Sequence, residues 1–112
     1  MMPVDILRSK WNRLGFRYAN EPYCEQVDIE RTVTESIEAG REFPDVFWAM
    51  LTWIIANGDL INIPRFSHMA TGNNGALSAA VAELALSYGA DSRLLRITAR
   101  QHPHEPAEVL FN

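Results

Sequence analysis

The chain has 112 residues, 47% hydrophobic and 21% charged, with a net charge of −4. That length and balance describe one folded domain rather than a disordered chain. The acidic balance argues against a general binder of nucleic acid or anionic membranes, and a single cysteine, Cys24, excludes an intramolecular disulfide framework and suits a reducing, cytoplasmic setting.

The N-terminal residues lack a secretory apolar core. Pro3 to Leu14 predicts a short amphipathic helix, with Leu7, Trp11 and Leu14 at i, i+4 and i+7 and Arg8, Lys10 and Arg13 mostly off that stripe. Gly15 fits the left-handed position that ends a helix. Residues 16–26 read as a loop around Asn20-Glu21-Pro22, and its aromatics Phe16, Tyr18 and Tyr23 are expected to pack down. Asp28 is the expected N-cap of a second helix to about Ala39. Its apolar stripe is narrow, Ile29, Val33 and Ile37, so it should pack on one side only.

Phe43 to Asp59, FPDVFWAMLTWIIANGD, predicts the central helix. Pro44 is tolerated in its first turn, Asp45 complements its N-terminal dipole, and Asn57-Gly58 closes it. From Val46 to Ala56 there is no charge, and Thr52 is the only polar side chain. Apolar residues on nearly every face mean a helix in the middle of a core. The run is too short for the roughly 20 residues that cross a bilayer. Trp48 and Trp53 project about 140° apart around the axis. Both sides of the helix must therefore be covered, by this domain or by a subunit interface. The Ile29/Val33/Ile37 and Leu77/Val81/Leu84 stripes are the expected covers.

Leu60 to Ile63 is a short connector, and Pro64 starts a brief fourth helix with Phe66 and Met69. Thr71-Gly72-Asn73-Asn74-Gly75 is the clearest turn. A fifth helix from about Ala76 to Tyr88 carries Leu77, Val81, Leu84 and Tyr88 on one face, and Gly89 ends it. Asp91 or Ser92 caps a sixth helix to about Gln101, with Leu94 and Ile97 facing in. Pro103 and Pro106 break the helical pattern beyond Gln101. The expected architecture is all-α: a compact bundle or helical array of five to six short helices around a central hydrophobic helix at about 44–57. One domain spans 1–102. Residues 103–112 form a tail without a helix-end signal at Leu110-Phe111-Asn112, as in a flexible end or a chain that continues.

Charge is unevenly placed. Residues 1–20 carry Arg8, Lys10, Arg13 and Arg17 against Asp5, and residues 21–42 carry seven acids, Glu35 and Glu38 among them, against two arginines. The opposed blocks read as solvated helix faces that pair with each other, or as a two-sided surface for a charged protein partner.

Chemistry-bearing patterns are sparse. Pro64–Ala70 and Asn74–Tyr88 have the layout of a helix-turn-helix that would present Arg65, Asn73, Asn74 and Ser78 to DNA. Its recognition helix begins NNGALSAAVAEL, and no Arg or Lys lies between Arg65 and Arg93, so it offers little to bases or phosphates. His102 and His104 form an H-x-H pair beside Glu105, with His68 and Cys24 elsewhere, but lack a third ligand at a defined spacing. Cys24 lies next to Glu25, which would raise its pKa, the opposite of what a nucleophile needs. No H-E-x-x-H, P-loop, G-x-S-x-G or dinucleotide-binding pattern is present. The expectation is a non-enzymatic module without cofactor or metal that binds another protein or a second copy of itself, as an antitoxin-like inhibitor, adaptor or regulator. Its candidate contact residues are Arg8, Lys10, Arg13, Arg17, Glu35, Glu38, Trp48 and Trp53.

Overall fold

A computed structural model describes residues 3–15, 27–69 and 73–111. Arg17, Cys24 and the loop aromatics Phe16, Tyr18 and Tyr23 lie outside these residues, as do Thr71 and Gly72. In chain order the helices are α1 (Pro3–Arg13), α2 (Ile29–Ala39), α3 (Pro44–Asn57), α4 (Ile63–Met69), α5 (Asn73–Ser87), α6 (Arg93–Gln101) and α7 (Ala107–Leu110). A 3-10 turn, Gly58–Leu60, links α3 to α4. No strand occurs among the described residues, and the all-α bundle around α3 stands as expected.

The helix ends follow local chemistry. The Asp28 carboxylate accepts the Arg31 N–H at 3.2 Å, and the Ser92 hydroxyl accepts the Leu95 N–H at 3.4 Å, each satisfying one of a first turn's unpaired donors. Gly15 sits at φ 107°, the left-handed position its sequence context called for.

Two boundaries differ from the expectation. α5 begins at Asn73, so the turn expected over residues 71–75 gives way to helix within it. Gly75 lies in the first turn of α5, where a Cβ would stand 2.7 Å from Nε2 of His102. The glycine admits the close approach of that ring instead of turning the chain. Residues 103–111 pack onto the bundle. Pro106 opens the four-residue α7, Ala107 is buried, the Phe111 ring lies 4.7 Å from that of Phe47, and Arg41 Nε donates to the Leu110 carbonyl at 3.2 Å.

The core forms where α1, α2 and α5 close on α3. Trp11 has no solvent exposure, and its indole N–H donates to Ser36 Oγ at 2.9 Å, so the polar end of the ring is satisfied inside the core. Its ring centroid lies 6.0 Å from that of Trp53, tilted by 55°. Burying an indole of this kind contributes about 4–6 kcal/mol of transfer free energy as an upper figure. α4 is fastened to α2 through polar groups: Arg65 pairs with Asp28 and, at 3.5 Å, with Glu30, whose buried carboxylate also accepts the Asn62 N–H at 3.2 Å. A buried carboxylate needs such partners.

Candidate protein-interaction surface

α3 gives one side to its neighbours and leaves another open. The α2 and α5 stripes, expected to cover opposite sides, belong to helices that also pack against each other, so they converge on one side. Trp53 lies on the covered side and is only 7% exposed, so it is withdrawn from the candidate contact residues. Trp48 lies on the open side and is 51% exposed.

Pro44, Trp48, Thr52 and Ala56 of α3 are all exposed, and so is Leu60 in the 3-10 turn, at 65%. A step of four turns about 40° around an α-helix, so Trp48 and Thr52 share a face while Pro44 and Ala56 stand about 120° apart at its edges. None of these five residues is charged. Beside Trp48 a groove of about 310 Å³ opens between α3, α5 and α7, with Phe47, Leu84, Ala107 and Phe111 among its lining. Tyr88, also on its rim, is 58% exposed. That position corrects the expectation that Tyr88 continues the inward stripe of α5: it follows Ser87, the last residue of the helix, and projects away from the core. Trp48 is held edge-on to Phe47 at 5.6 Å, and Phe47 in turn packs on Phe111. Isolated exposed hydrophobics are ordinary, but a contiguous, positioned apolar patch marks a contact surface.

The charged candidates pair largely within the chain. Arg8 Nε donates to Asp45 at 2.9 Å, with a second nitrogen 3.0 Å from Asp5, and Lys10 reaches Glu35 at 3.2 Å. Much of the basic block of α1 is therefore engaged with acids of α1, α2 and α3. Arg13 and Glu38 are exposed. Burial pushes the Asp28 carboxyl up, but the hydrogen bonds from the Arg31 N–H and the Arg65 guanidinium outweigh it and hold it below the usual carboxylate range.

The residues assigned to the DNA reading are not gathered for it. From Gly75 to Ala82 the supposed recognition helix is buried at every position but the partly covered Ala76. Ser78 is 3% exposed, so in this fold it faces the core and not a groove. Arg65 is engaged by Asp28 and Glu30. Asn73 and Asn74 begin α5, and their side chains lie outside the described residues.

The H-x-H pair is engaged in packing. Nδ1 of His104 lies 2.9 Å from the His102 carbonyl, and Nε2 is paired with Glu83. The His102 carbonyl and the Glu83 carboxylate raise the His104 pKa above its ordinary value against the opposing effect of burial. His68 is exposed on α4. Among the described residues no group of three or more His, Cys, Asp or Glu side chains converges on one point, and no helix is long and apolar enough to cross a membrane.

The chain matches no family model, and neither a curated protein nor a solved structure is similar to it. The surface must be read from its own residues. Sequence reasoning picked Trp48 but missed the exposed Thr52 one turn along the same face.

Proposed function

We propose that this chain is a non-enzymatic protein-interaction module, of the adaptor, regulator or antitoxin-like inhibitor kind, that binds through the open side of α3. The observation that carries the reading is Trp48. Its indole is half in water on the open side of α3, beside a groove that the exposed Tyr88 also lines. Partly exposed aromatics in a positioned apolar patch are the residues that dominate binding at protein interfaces. A cytoplasmic setting is part of the proposal and rests on the single Cys24.

The test pairs wild type with Trp48→Ala, after circular dichroism has established that the variant is folded. Each is immobilised and exposed to native lysate, and each is weighed in solution by light scattering. Wild type should associate with itself or retain a protein that Trp48→Ala loses. If wild type does neither, the interaction reading is wrong.

A further inference from the structure

The outward face of α6 concentrates positive charge that the chain itself does little to neutralise. We infer that an acidic helical segment of a protein partner docks there, its carboxylates meeting Arg93, Arg96 and Arg100. No residue of α6 lines the groove beside Trp48, so this is a second contact surface, independent of the one proposed above.

The three arginines follow at i, i+3 and i+7. That spacing places them within about 60° of arc around the helix and spreads them over about 10.5 Å of its axis. Leu94, Leu95 and Thr98 on the opposite side are buried, whereas all three arginines are exposed. Their side chains frame an open depression of about 410 Å³ that Gln101 and the half-buried Ile97 also line.

Three features of this arrangement work against the free helix. Arg93 is the first residue of α6, at the positive end of the helix dipole, where an acid would be favoured. Arg93 and Arg96, like Arg96 and Arg100, are like charges about one turn apart, and such pairs are destabilising. Of the three, only Arg96 has an acid of the described residues within ion-pair distance. That acid is Asp91, at 2.6 Å, and its side chain is 91% exposed. Elsewhere the chain does better: Arg8 is held by Asp5 and Asp45, and Arg65 by Asp28 and Glu30. Local rules broken with no compensation inside the fold are expected at functional surfaces. Carboxylates laid along the stripe would reverse all three features, because they offset the dipole, separate the like charges and supply the missing acceptors.

The shape of the charge selects an acidic helix over a nucleic acid. A helix with acids at i, i+3 and i+7 presents them over the same length and arc as the arginines, and an apolar residue beside them can rest on Ile97. Duplex DNA carries one charge per about 1.7 Å of axis, and its binders commonly make about 6–10 phosphate contacts. It would run past the stripe onto Asp91 and onto Asp59, which follows the Gly58 packed against Ser92 at the start of α6. Screening over about 10 Å at ordinary salt keeps the chain's net charge of −4 from deciding so local a contact.

The experiment follows amide shifts in the NMR spectrum of the full isotope-labelled chain. The probe is a capped, alanine-based helical peptide of about 16 residues, with glutamates at i, i+3 and i+7 and a leucine at i+4. It should shift the amides of Arg93–Gln101 and saturate them by about 1 mM peptide at about 50 mM salt, with several-fold weaker binding at about 200 mM. A peptide of the same composition with its glutamates spread around the helix should bind about tenfold more weakly. Arg93→Gln, Arg96→Gln and Arg100→Gln together keep residues of good helix propensity and should lower affinity at least about tenfold. Arg31→Gln, exposed on α2, should change nothing. The inference is overturned if the α6 amides do not move, or if the spread-glutamate peptide binds equally well. It is also overturned if the triple variant, shown to be folded by its own spectrum, binds as wild type does. Tighter binding of a short DNA duplex at the same amides overturns it in favour of a nucleic acid. None of these outcomes decides the reading of the Trp48 surface, which stands or falls on its own test.

Discussion

The core's most informative perturbation is Trp11→Phe. Trp11 has no exposure, and its indole N–H donates to the equally buried Ser36 hydroxyl at 2.9 Å. Exchange of indole for phenyl removes roughly 40 Å² of buried ring, about 1 kcal/mol of transfer free energy. It also strips Ser36 Oγ of its donor, and an orphaned buried polar group costs about 1–3 kcal/mol. The expected loss is about 2–4 kcal/mol, a large fraction of the about 5–15 kcal/mol that holds a domain together. Ser36→Ala should destabilise comparably, by orphaning the indole N–H. The double variant should lose at least about 1 kcal/mol less than the two single losses added together, because the second change orphans nothing further. Urea denaturation with linear extrapolation measures all four proteins, and an unchanged slope would show that the unfolding reaction is the same. Additive losses, or a Trp11→Phe loss below about 1 kcal/mol, would refute the assignment of this bond as a core tie between α1 and α2.

Other parts of the fold give their own tests. Thr98 is buried, and its hydroxyl has no hydrogen-bond partner among the described residues, so Thr98→Val should raise stability by about 1 kcal/mol and the thermal midpoint by several degrees. Asp28→Ala removes the α2 cap and one of Arg65's partners and should lower stability by about 1 kcal/mol in the same urea assay at neutral pH. The His104 pKa is raised by folding, so its contribution is full below the ordinary value of 6.5 and is lost as pH rises through the higher folded value. Hydrogen exchange at residues 107–111, after correction for the intrinsic pH dependence of exchange, should show weaker protection at pH 8 than at pH 5.5. Glu83→Gln should reduce that difference.

Helix positions were legible because their punctuation is local. Asp28, Ser92 and Gly15 act within one turn of where they stand, and each caps or ends the helix that its neighbours predict. α7 was not legible, because four residues after Pro106 show no period and its stability comes from Phe111 packing on the distant Phe47. Gly75 was misread for a related reason: the ring that requires a glycine there, His102, comes 27 positions later. For the surface, spacing fixed the angle between Trp48 and Trp53 but not which side stays open. That depends on α2 and α5 packing on each other as well as on α3, a tertiary choice that neither stripe encodes alone. The charge blocks were visible as composition, whereas the pairing of Arg8 with Asp45 and Lys10 with Glu35 required the fold.

The three tryptophans provide the most direct test of the claim that the Trp48 face of α3 stands open, as a binding surface must. Trp11 and Trp53 are buried within the fold, so acrylamide should reach chiefly the indole of Trp48. Quenching is measured on the dilute purified chain for wild type and for Trp48→Phe, the difference giving the signal from Trp48. An open face predicts ready quenching in wild type that Trp48→Phe largely removes. Equal quenching in the two proteins would contradict it.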